Sequence, residues 1–286
     1  MIKYFTRRPL RVLAGLMMAV MTVSCGSDDE NEFDIEATMG GNPIAVAWTS
    51  EGMTIDTVGT SCSVKFNTIN RRVTIEANGT AAMGADQLIF ESVDYGMGQD
   101  GHSYVVNTQN LKASNAPLSV TMKMMYSGER TINSTLCNGV SLRMASEQCD
   151  LTFVPRHLIM DGATETVLTT VSDSAYVSES TTYSIDIDPA KLKAQVVVHR
   201  PKFAANMPAL GDMVFPGIDV EFVPGGFRLA KDSLVPMLDG TPYPNYIITN
   251  FKADCDMTSP ESTIEFNCMR VFKVYAKVSS NFAPGN

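Results

Sequence analysis

From about residue 33 onward, apolar and polar residues alternate at every second position in many short segments. Examples are residues 64–67, 73–76, 120–124, 185–188 and 264–267. A period of two places one residue class on each face of an extended strand, as in antiparallel sheets with one buried face. Turn pairs separate the segments: Asn78-Gly79, Asp100-Gly101, Asn138-Gly139, Gly225-Gly226 and Asp239-Gly240. The pattern predicts an all-β fold.

Helical patterns are few and short. The run Pro189–Lys193 follows Asp188, a residue suited to an N-cap, and predicts a single helical turn. The run Lys231–Leu234 is a weaker candidate. We therefore expect antiparallel β-barrels or β-sandwiches with few short helices.

An internal repeat relates the two halves of the chain. Residues 88–94 (LIFESVD) align with residues 213–219 (MVFPGID) at a shift of 125 positions, and the same shift carries Asp100-Gly101 onto Gly225-Gly226. The shared phenylalanine, aspartate and glycine turn predict two tandem β domains, 33–150 and 151–286. The alternative is one continuous sandwich with similar hairpins.

The first 24 residues have a different composition. Arg7, Arg8 and Arg11 precede an apolar run at residues 12–23, which is shorter than the roughly 20 residues that span a bilayer. A basic flank followed by a short apolar core predicts a signal peptide, residues 1–24.

The end of this run, Thr22-Val23-Ser24-Cys25, resembles the lipobox of bacterial lipoproteins, with Thr22 in place of the usual leucine. The resemblance implies cleavage before Cys25 and its acylation by fatty acids such as palmitate. The alternative is an ordinary signal peptide followed by a chance cysteine. The acidic run at residues 27–32 resembles the surface-export signal of Bacteroidetes-type lipoproteins, so residues 25–32 are expected to form a lipidated acidic tether at the cell outer membrane. A solvated spacer would have the same composition.

Charge narrows the possible partners. The chain has 22 basic and 31 acidic residues, and the four basic residues before position 25 would be lost with a leader. So acidic a protein repels nucleic acid, and we expect no nucleic-acid partner. The expected partners are the membrane, through the lipid anchor, and a small apolar ligand or a glycan.

Residues 206–210, 216–220 and 240–251 are similar to segments of uncharacterised Bacteroidetes lipoproteins with calycin-like β-barrels. The similarity covers about residues 185–275 and implies a small antiparallel barrel in the second half. It implies no catalytic motif. The first half has no counterpart of the segment Thr-Pro-Tyr-Pro.

Five cysteines remain beyond Cys25: Cys62, Cys137, Cys149, Cys255 and Cys268. Alternation places Cys255 and Cys268 on the apolar faces of their strands. Paired across a hairpin they would form a disulfide; the alternative is two buried free thiols. The sequence has no Cys-x-x-Cys motif, which excludes zinc ribbons and dithiol redox sites of that type.

Catalytic motifs are absent from the sequence. The three histidines, His102, His157 and His199, form no metal-binding motif, and no nucleophile elbow or phosphate loop occurs. We expect no catalytic residue, no metal and no cofactor.

Two pairs of carboxylates could still act on glycosidic bonds. Asp186 and Asp188 share one strand face, as do Asp254 and Asp256, and each of these faces is opposite an apolar face. Solvated charges are the favoured interpretation of both pairs.

One loop is a candidate for binding. Tyr243 and Tyr246 stand among prolines, and exposed rigid aromatic rings are suited to stacking on sugars or holding a partner. The alternative is that both rings pack inward over the mouth of a barrel.

These observations predict a lipid-anchored envelope protein that is a non-enzymatic binding module. Its site would be either a barrel cavity or the tyrosine loop, and bulky residues on the inner faces could fill that cavity: Phe222, Phe227, Phe251 and Phe266. One alternative is a structural or adhesive, fimbrillin-like subunit. Another is a glycan-acting hydrolase.

Overall fold

In the computed structural model, the described part of the chain consists almost entirely of strands and turns, which confirms the all-β prediction. The structure describes residues 35–39, 42–67, 69–99, 104–106, 112–113, 116–125, 139–169, 175–259 and 261–279. Two three-residue 3-10 helices are Ala81–Met83 and Pro244–Tyr246. Among these residues no helix has the length and apolar character needed to cross a membrane.

The strands of the first half are β1 (Ile35–Met39), β2 (Ile44–Thr49), β3 (Gly52–Asp56), β4 (Ser61–Asn67), β5 (Arg72–Asn78), β6 (Gln87–Met97), β7 (Tyr104–Val106), β8 (Lys112–Ala113), β9 (Ala116–Pro117), β10 (Ser119–Met125), β11 (Gly139–Ala145) and β12 (Cys149–Val154). Those of the second half are β13 (His157–Leu168), β14 (Ala175–Asp188), β15 (Lys193–Val198), β16 (Met213–Val223), β17 (Gly226–Leu234), β18 (Met237–Leu238), β19 (Thr241–Pro242), β20 (Ile248–Asp256), β21 (Ser262–Cys268) and β22 (Phe272–Ser279).

Neither short helix predicted in the second half forms. Residues 189–192 make a turn between β14 and β15, and Leu192 has a φ of 50°, which lies outside the right-handed helical region. Residues 231–234 lie in β17, where Lys231 pairs with Phe251 of β20. Pairing within the sheet overrides the weak helical preference of these segments.

The second half forms a closed barrel of eight strands, hereafter the closed barrel. Around the ring the strands follow chain order, β13 to β17 and then β20 to β22, and β22 pairs with β13. Every pairing is antiparallel, so the architecture is an up-and-down barrel. The hairpin β18–β19 pairs with β16 and takes no part in the ring.

The first half has the same succession of eight strands, in the order β4, β5, β6, β7, β10, β11, β12, β2. Within the described residues, however, β2 and β4 do not pair with each other. Instead β3 folds back on β2 and β1 pairs with β4, so the sheet has two edges. Strand β1 lies near β11, so the sheet is curled, and it is called the curled sheet below.

The repeat in the sequence corresponds to equivalent strands of the two sheets. Residues 88–94 lie in β6 and residues 213–219 in β16, and both strands are eleven residues long. The aligned residues Ser92 and Gly217 have φ values of 49° and 66°, and the neighbouring strand shows a shift of register in both cases. Both halves thus carry a β-bulge at the same position.

The two sheets meet within one compact unit. The chain passes from one to the other at Pro155 and Arg156, and the predicted boundary after residue 150 lies inside β12. Strand β2 is buried on both faces: Ile44 and Val46 pack into the core of the closed barrel, whereas its intervening alanines pack into that of the curled sheet.

Two buried hydrogen bonds join the curled sheet to one end of the closed barrel. The Ser141 hydroxyl donates to the carbonyl oxygen of Met257 at 2.6 Å, and the Gly225 N–H donates to the Thr152 hydroxyl oxygen at 3.0 Å. Gly225 and Met257 lie in turns at the same end of the barrel. Turns alternate between the two ends of an up-and-down barrel, so the segments 199–212 and 235–247 lie at the opposite end, called the free end below.

Phenylalanine side chains fill the interior of the closed barrel. Phe215 and Phe266 meet edge to face with ring centroids 5.3 Å apart, and Phe251 lies 5.7 Å from Phe215 and 6.1 Å from Phe266. The four phenylalanines predicted on inner faces are all buried, with at most 4% of their surface exposed. Of the two possibilities raised by the sequence, the filled barrel is therefore the one observed.

Candidate functional site

The free end of the closed barrel carries a loop that holds both predicted binding tyrosines. After β17, the N–H of Tyr243 donates to the carbonyl oxygen of Pro236 at 2.8 Å, which closes the loop upon itself. Pro244 begins the following 3-10 helix, and the N–H of Tyr246 donates to the carbonyl oxygen of Tyr243 at 3.0 Å. These bonds and the fixed φ of proline restrict the loop backbone.

The loop brings the two tyrosine rings together. Their centroids are 5.2 Å apart and their planes are inclined by 38°. Tyr246 is half-buried against the barrel core, and burial, with smaller contributions from Tyr243 and Cys268, raises its pKa. Tyr243 remains 41% exposed. The pair thus combines the two predicted arrangements, because Tyr246 packs inward and supports the outer ring of Tyr243.

A polar groove of about 310 Å³ lies on the outer wall near this loop. Its lining includes Asn250, Lys252, Glu265, Asn267 and Lys273. Thr249, three residues after Tyr246, pairs with Asn267, which places one end of the groove close to the tyrosines. Asn250 has a φ of 53° at the bulge between Thr249 and Lys252, and the bulge interrupts the regular strand pairing at the groove.

Another exposed tyrosine lies beside the groove. Tyr275 of β22 is directly opposite Glu265 of β21 and is 36% exposed. Directly opposite residues of an antiparallel pair point to the same face, so this ring flanks the groove wall. Together these groups supply amide and carboxylate oxygens, N–H donors and aromatic faces, the combination that suits a ligand with many hydroxyl groups.

A second groove, of about 450 Å³, lies on the opposite part of the wall between β14 and β15. Both lysines of its lining are paired with carboxylates. Lys191 forms an ion pair with Asp188 at 2.8 Å and lowers the pKa of that carboxyl group, and Lys193 pairs with Asp219 and lowers its pKa in the same way. Mutual pairing leaves less charge for a ligand than the first groove offers.

The two predicted carboxylate pairs lie on exposed outer faces. Asp186 contacts His157 with 2.6 Å between Oδ1 and Nδ1, and Asp254 lies 3.7 Å from Arg228. Asp256 accepts hydrogen bonds from the backbone and hydroxyl of Thr258, both at 2.7 Å. Within the described residues no group of three or more His, Cys, Asp or Glu side chains is placed to hold a metal ion.

The predicted disulfide between Cys255 and Cys268 does not form; both are buried free thiols, the alternative interpretation. In the hairpin β20–β21, Cys268 is opposite Ile248, at the far end of β20 from Cys255. Seven residues of strand separate these positions by about 20 Å, whereas a disulfide needs Cα atoms less than about 7 Å apart. Alternation identified the face of each thiol but not the register between the strands.

His199 takes part in a hydrogen-bonded chain that sequence analysis missed. Its Nε2 lies 2.6 Å from Ser184 Oγ, and its Nδ1 lies 2.9 Å from Asp212 Oδ2. The three residues lie on β14, just after β15 and just before β16. No local motif joins them, because only the pairing of β14, β15 and β16 brings them together.

Several predictions fall outside the described residues. These are the signal peptide (residues 1–24), the lipidated Cys25 with its tether, His102 and Cys137. No protein-family model matches the chain, and no curated protein matches it either.

Proposed function

We propose that this chain is a lipid-anchored protein of the cell envelope, exposed at the outer membrane, and that its calycin-like barrel binds a glycan. The site is the tyrosine pair at the free end together with the neighbouring polar groove. The observation that carries the proposal is the exposed ring of Tyr243, supported by Tyr246 next to a groove of amide and charged groups.

The filled interior favours a glycan over a small apolar ligand. A small barrel accommodates an apolar molecule only when its inner side chains leave space. In this barrel Phe215, Phe251 and Phe266 occupy the centre. Binding at the outer surface relies on aromatic stacking and hydrogen bonding, both of which sugars satisfy.

The anchor is proposed from the N-terminal sequence. The basic flank, the short apolar run and the small residue before Cys25 are typical of lipoprotein processing. Several acyl chains on one residue give stable membrane attachment. Mass spectrometry of the mature N-terminus should find an acylated Cys25, and Cys25→Ala should release the protein into the soluble fraction. A mature form that begins elsewhere and carries no lipid would refute the anchor.

Glycan binding can be tested with native gels that contain a panel of soluble polysaccharides. The full chain in detergent should be retarded by at least one of them. Tyr243→Ala and Tyr246→Ala should each lower the affinity at least about tenfold, because central aromatic residues carry much of the binding energy. Ile69→Ala, at an exposed site in the curled sheet, is the matched control and should bind as the parent does. Equal retardation of parent and both tyrosine variants would refute the site.

The adhesive subunit is kept as a second candidate because the curled sheet has an exposed edge. Strand β3 ends the sheet, and four of its five residues are exposed. Such an edge can accept a strand from another chain. Polymers formed after proteolytic trimming near the mature N-terminus would favour this candidate over glycan binding.

A further inference from the structure

We propose that Ser184, His199 and Asp212 form a nucleophilic relay in which Ser184 is acylated by carboxylic esters. The chain of contacts is complete: Ser184 Oγ to His199 Nε2 is 2.6 Å, and His199 Nδ1 to Asp212 Oδ2 is 2.9 Å. A serine, a histidine and an acidic residue linked in this order are recognised as a nucleophilic triad by geometry rather than by sequence position. The inference does not depend on glycan binding.

The fold holds each member of the relay in place. Ser184 lies on the outer face of β14, because its neighbours Tyr183 and Ile185 point into the core. The N–H of His199 donates to the carbonyl oxygen of Thr182 at 2.9 Å, which fixes the histidine backbone against the same strand. Asp212 accepts a second bond through Oδ1, from the N–H that follows His199 in the chain, at 3.2 Å.

These contacts determine the direction of the hydrogen bonds. An ionised carboxylate only accepts, so the His199 Nδ1–H must donate to Asp212. In the neutral ring the other nitrogen, Nε2, then holds a lone pair, and it accepts the hydroxyl proton of Ser184. This is the tautomer that a general base needs, and Asp212 stabilises the imidazolium that forms when the proton moves.

The surroundings of Ser184 indicate the class of substrate. The sheet places Ile159 on one side of the serine and Val197 on the other, both on the same outer face and both half-buried. Ser184 itself is 8% exposed, whereas the side chains of His199 and Asp212 are 35% and 51% exposed. Approach is therefore over the imidazole, onto a serine flanked by aliphatic side chains. This environment suits the acyl part of a short-chain ester.

The proposed reaction balances in two steps. Ser184 Oγ bonds to the acyl carbon while its proton passes to His199 Nε2, and the alcohol leaves with that proton as the acyl–oxygen bond breaks. Water then attacks the acyl-serine, giving a proton to His199 and releasing the carboxylic acid as Ser184 regains its proton. Ser184 lies in a strand paired on both sides, where sheet pairing engages the neighbouring N–H groups, so we expect slow turnover and an acyl-enzyme that accumulates.

A fluorophosphonate probe tests the nucleophile directly. With the full chain in detergent, attack should form a bond between Ser184 Oγ and phosphorus, expel fluoride and pass the proton to His199. Peptide mapping should find the label on Ser184. Ser184→Ala should abolish labelling, and His199→Ala should slow it at least about 100-fold. Asp212→Asn should slow it at least about tenfold, and p-nitrophenyl acetate should give a burst of nitrophenol in the parent and none in Ser184→Ala.

The other histidine–aspartate pair provides the matched control. His157 contacts Asp186 at 2.6 Å, and no serine is placed on its second nitrogen among the described residues. His157→Ala should therefore leave labelling unchanged. Circular dichroism checks that each variant is folded. If His199→Ala unfolds, Ser184→Thr, which retains a hydroxyl at this position, takes its place. Labelling of Ser184→Thr at position 184 would then support the assignment. A folded parent that takes no label, or label that persists in Ser184→Ala, would overturn the proposal and leave the three residues a structural clamp on segment 199–212.

Discussion

The two halves of this protein arrange eight strands in the same order, yet in the described residues only the second half closes into a ring. In the closed barrel, β13 and β14 are twelve and fourteen residues long and pair along nearly their whole length. In the curled sheet, β2 has only six residues, and the next strand, β3, folds back on its outer edge. Strand β3 therefore takes the position beside β2 that β4 would need in order to close the ring. Closure is decided by strand length and by one hairpin, not by the alternation that both halves share.

This difference separates the tasks that the two halves can perform. A closed barrel has no strand edges, and phenylalanines fill the interior of this one, so a ligand can reach only its ends or its outer wall. The curled sheet retains edges at β1 and β3, and it also covers one end of the barrel through β2 and β12. The free end with Tyr243 and Tyr246 is left as the most distinctive outer surface of the barrel.

The largest predicted effect on stability comes from removing one aromatic ring from the core of each half. Phe266→Ala removes a ring from the aromatic cluster of the closed barrel and should lower the free energy of unfolding by about 3–5 kcal/mol. Phe66→Ala, in the corresponding cluster with Tyr95 and Tyr104, should cost less because a sheet with open edges can relax around the cavity. Urea unfolding measures both values. A larger loss of unfolding free energy for Phe66→Ala than for Phe266→Ala would show that the open edges do not let the curled sheet relax.

Alkaline pH should weaken the protein through groups buried in both halves. Burial raises the pKa of Cys62 in the curled sheet from 9.0 to about 12, and that of Tyr183 in the closed barrel from 10.0 to about 12. Between these values the unfolded chain has lost the proton that the folded chain keeps, so stability is fully present below pH 9 and falls as the pH rises toward 12. At pH 11 Cys62 alone should contribute a loss of about 2–3 kcal/mol.

Urea unfolding at pH 8 and pH 11 measures this loss. Cys62→Ala serves as the control and should show a smaller difference between the two pH values than the parent does. An equal difference in parent and variant would show that the thiol makes no contribution.

Loss of a hydrogen bond between the two halves should have a smaller effect on the free energy of unfolding. Ser141→Ala removes the hydroxyl that donates to the buried carbonyl oxygen of Met257, which should cost about 1–3 kcal/mol. Ser178→Ala, at a half-exposed site on β14, should stay within about 0.5 kcal/mol of the parent. Two separated unfolding transitions in Ser141→Ala would indicate that this bond couples the halves, and an unchanged unfolding curve would contradict its role.

The sequence predicted the strands well because alternation is a local property. Segments 73–76 and 185–188 fall inside β5 and β14, and the aligned positions Ser92 and Gly217 form bulges in both halves. Register is not local. A bulge in β20 and the pairing of Ile248 with Cys268 decide which cysteines could meet, and no pattern in the sequence records them.

The candidate sites also differ in whether their residues lie close together in the sequence. Tyr243 and Tyr246 could be found from the sequence because they share one short loop. The contact of His199 with Ser184 and Asp212 could not, since the members lie 15 and 13 positions from the histidine and meet only after three strands have paired. A site whose residues come from several strands can be predicted only when the register between those strands is known.

Calorimetric titration with the polysaccharide that retards the parent most strongly tests whether binding occurs at the free end or inside the barrel. Tyr243→Ala should lower the affinity at least about tenfold. Phe215→Ala, at a buried position in the barrel interior, should leave the affinity of the folded protein unchanged. A polysaccharide affinity that falls with Phe215→Ala and not with Tyr243→Ala, or a parent that binds no polysaccharide in the panel, would refute binding at the free end.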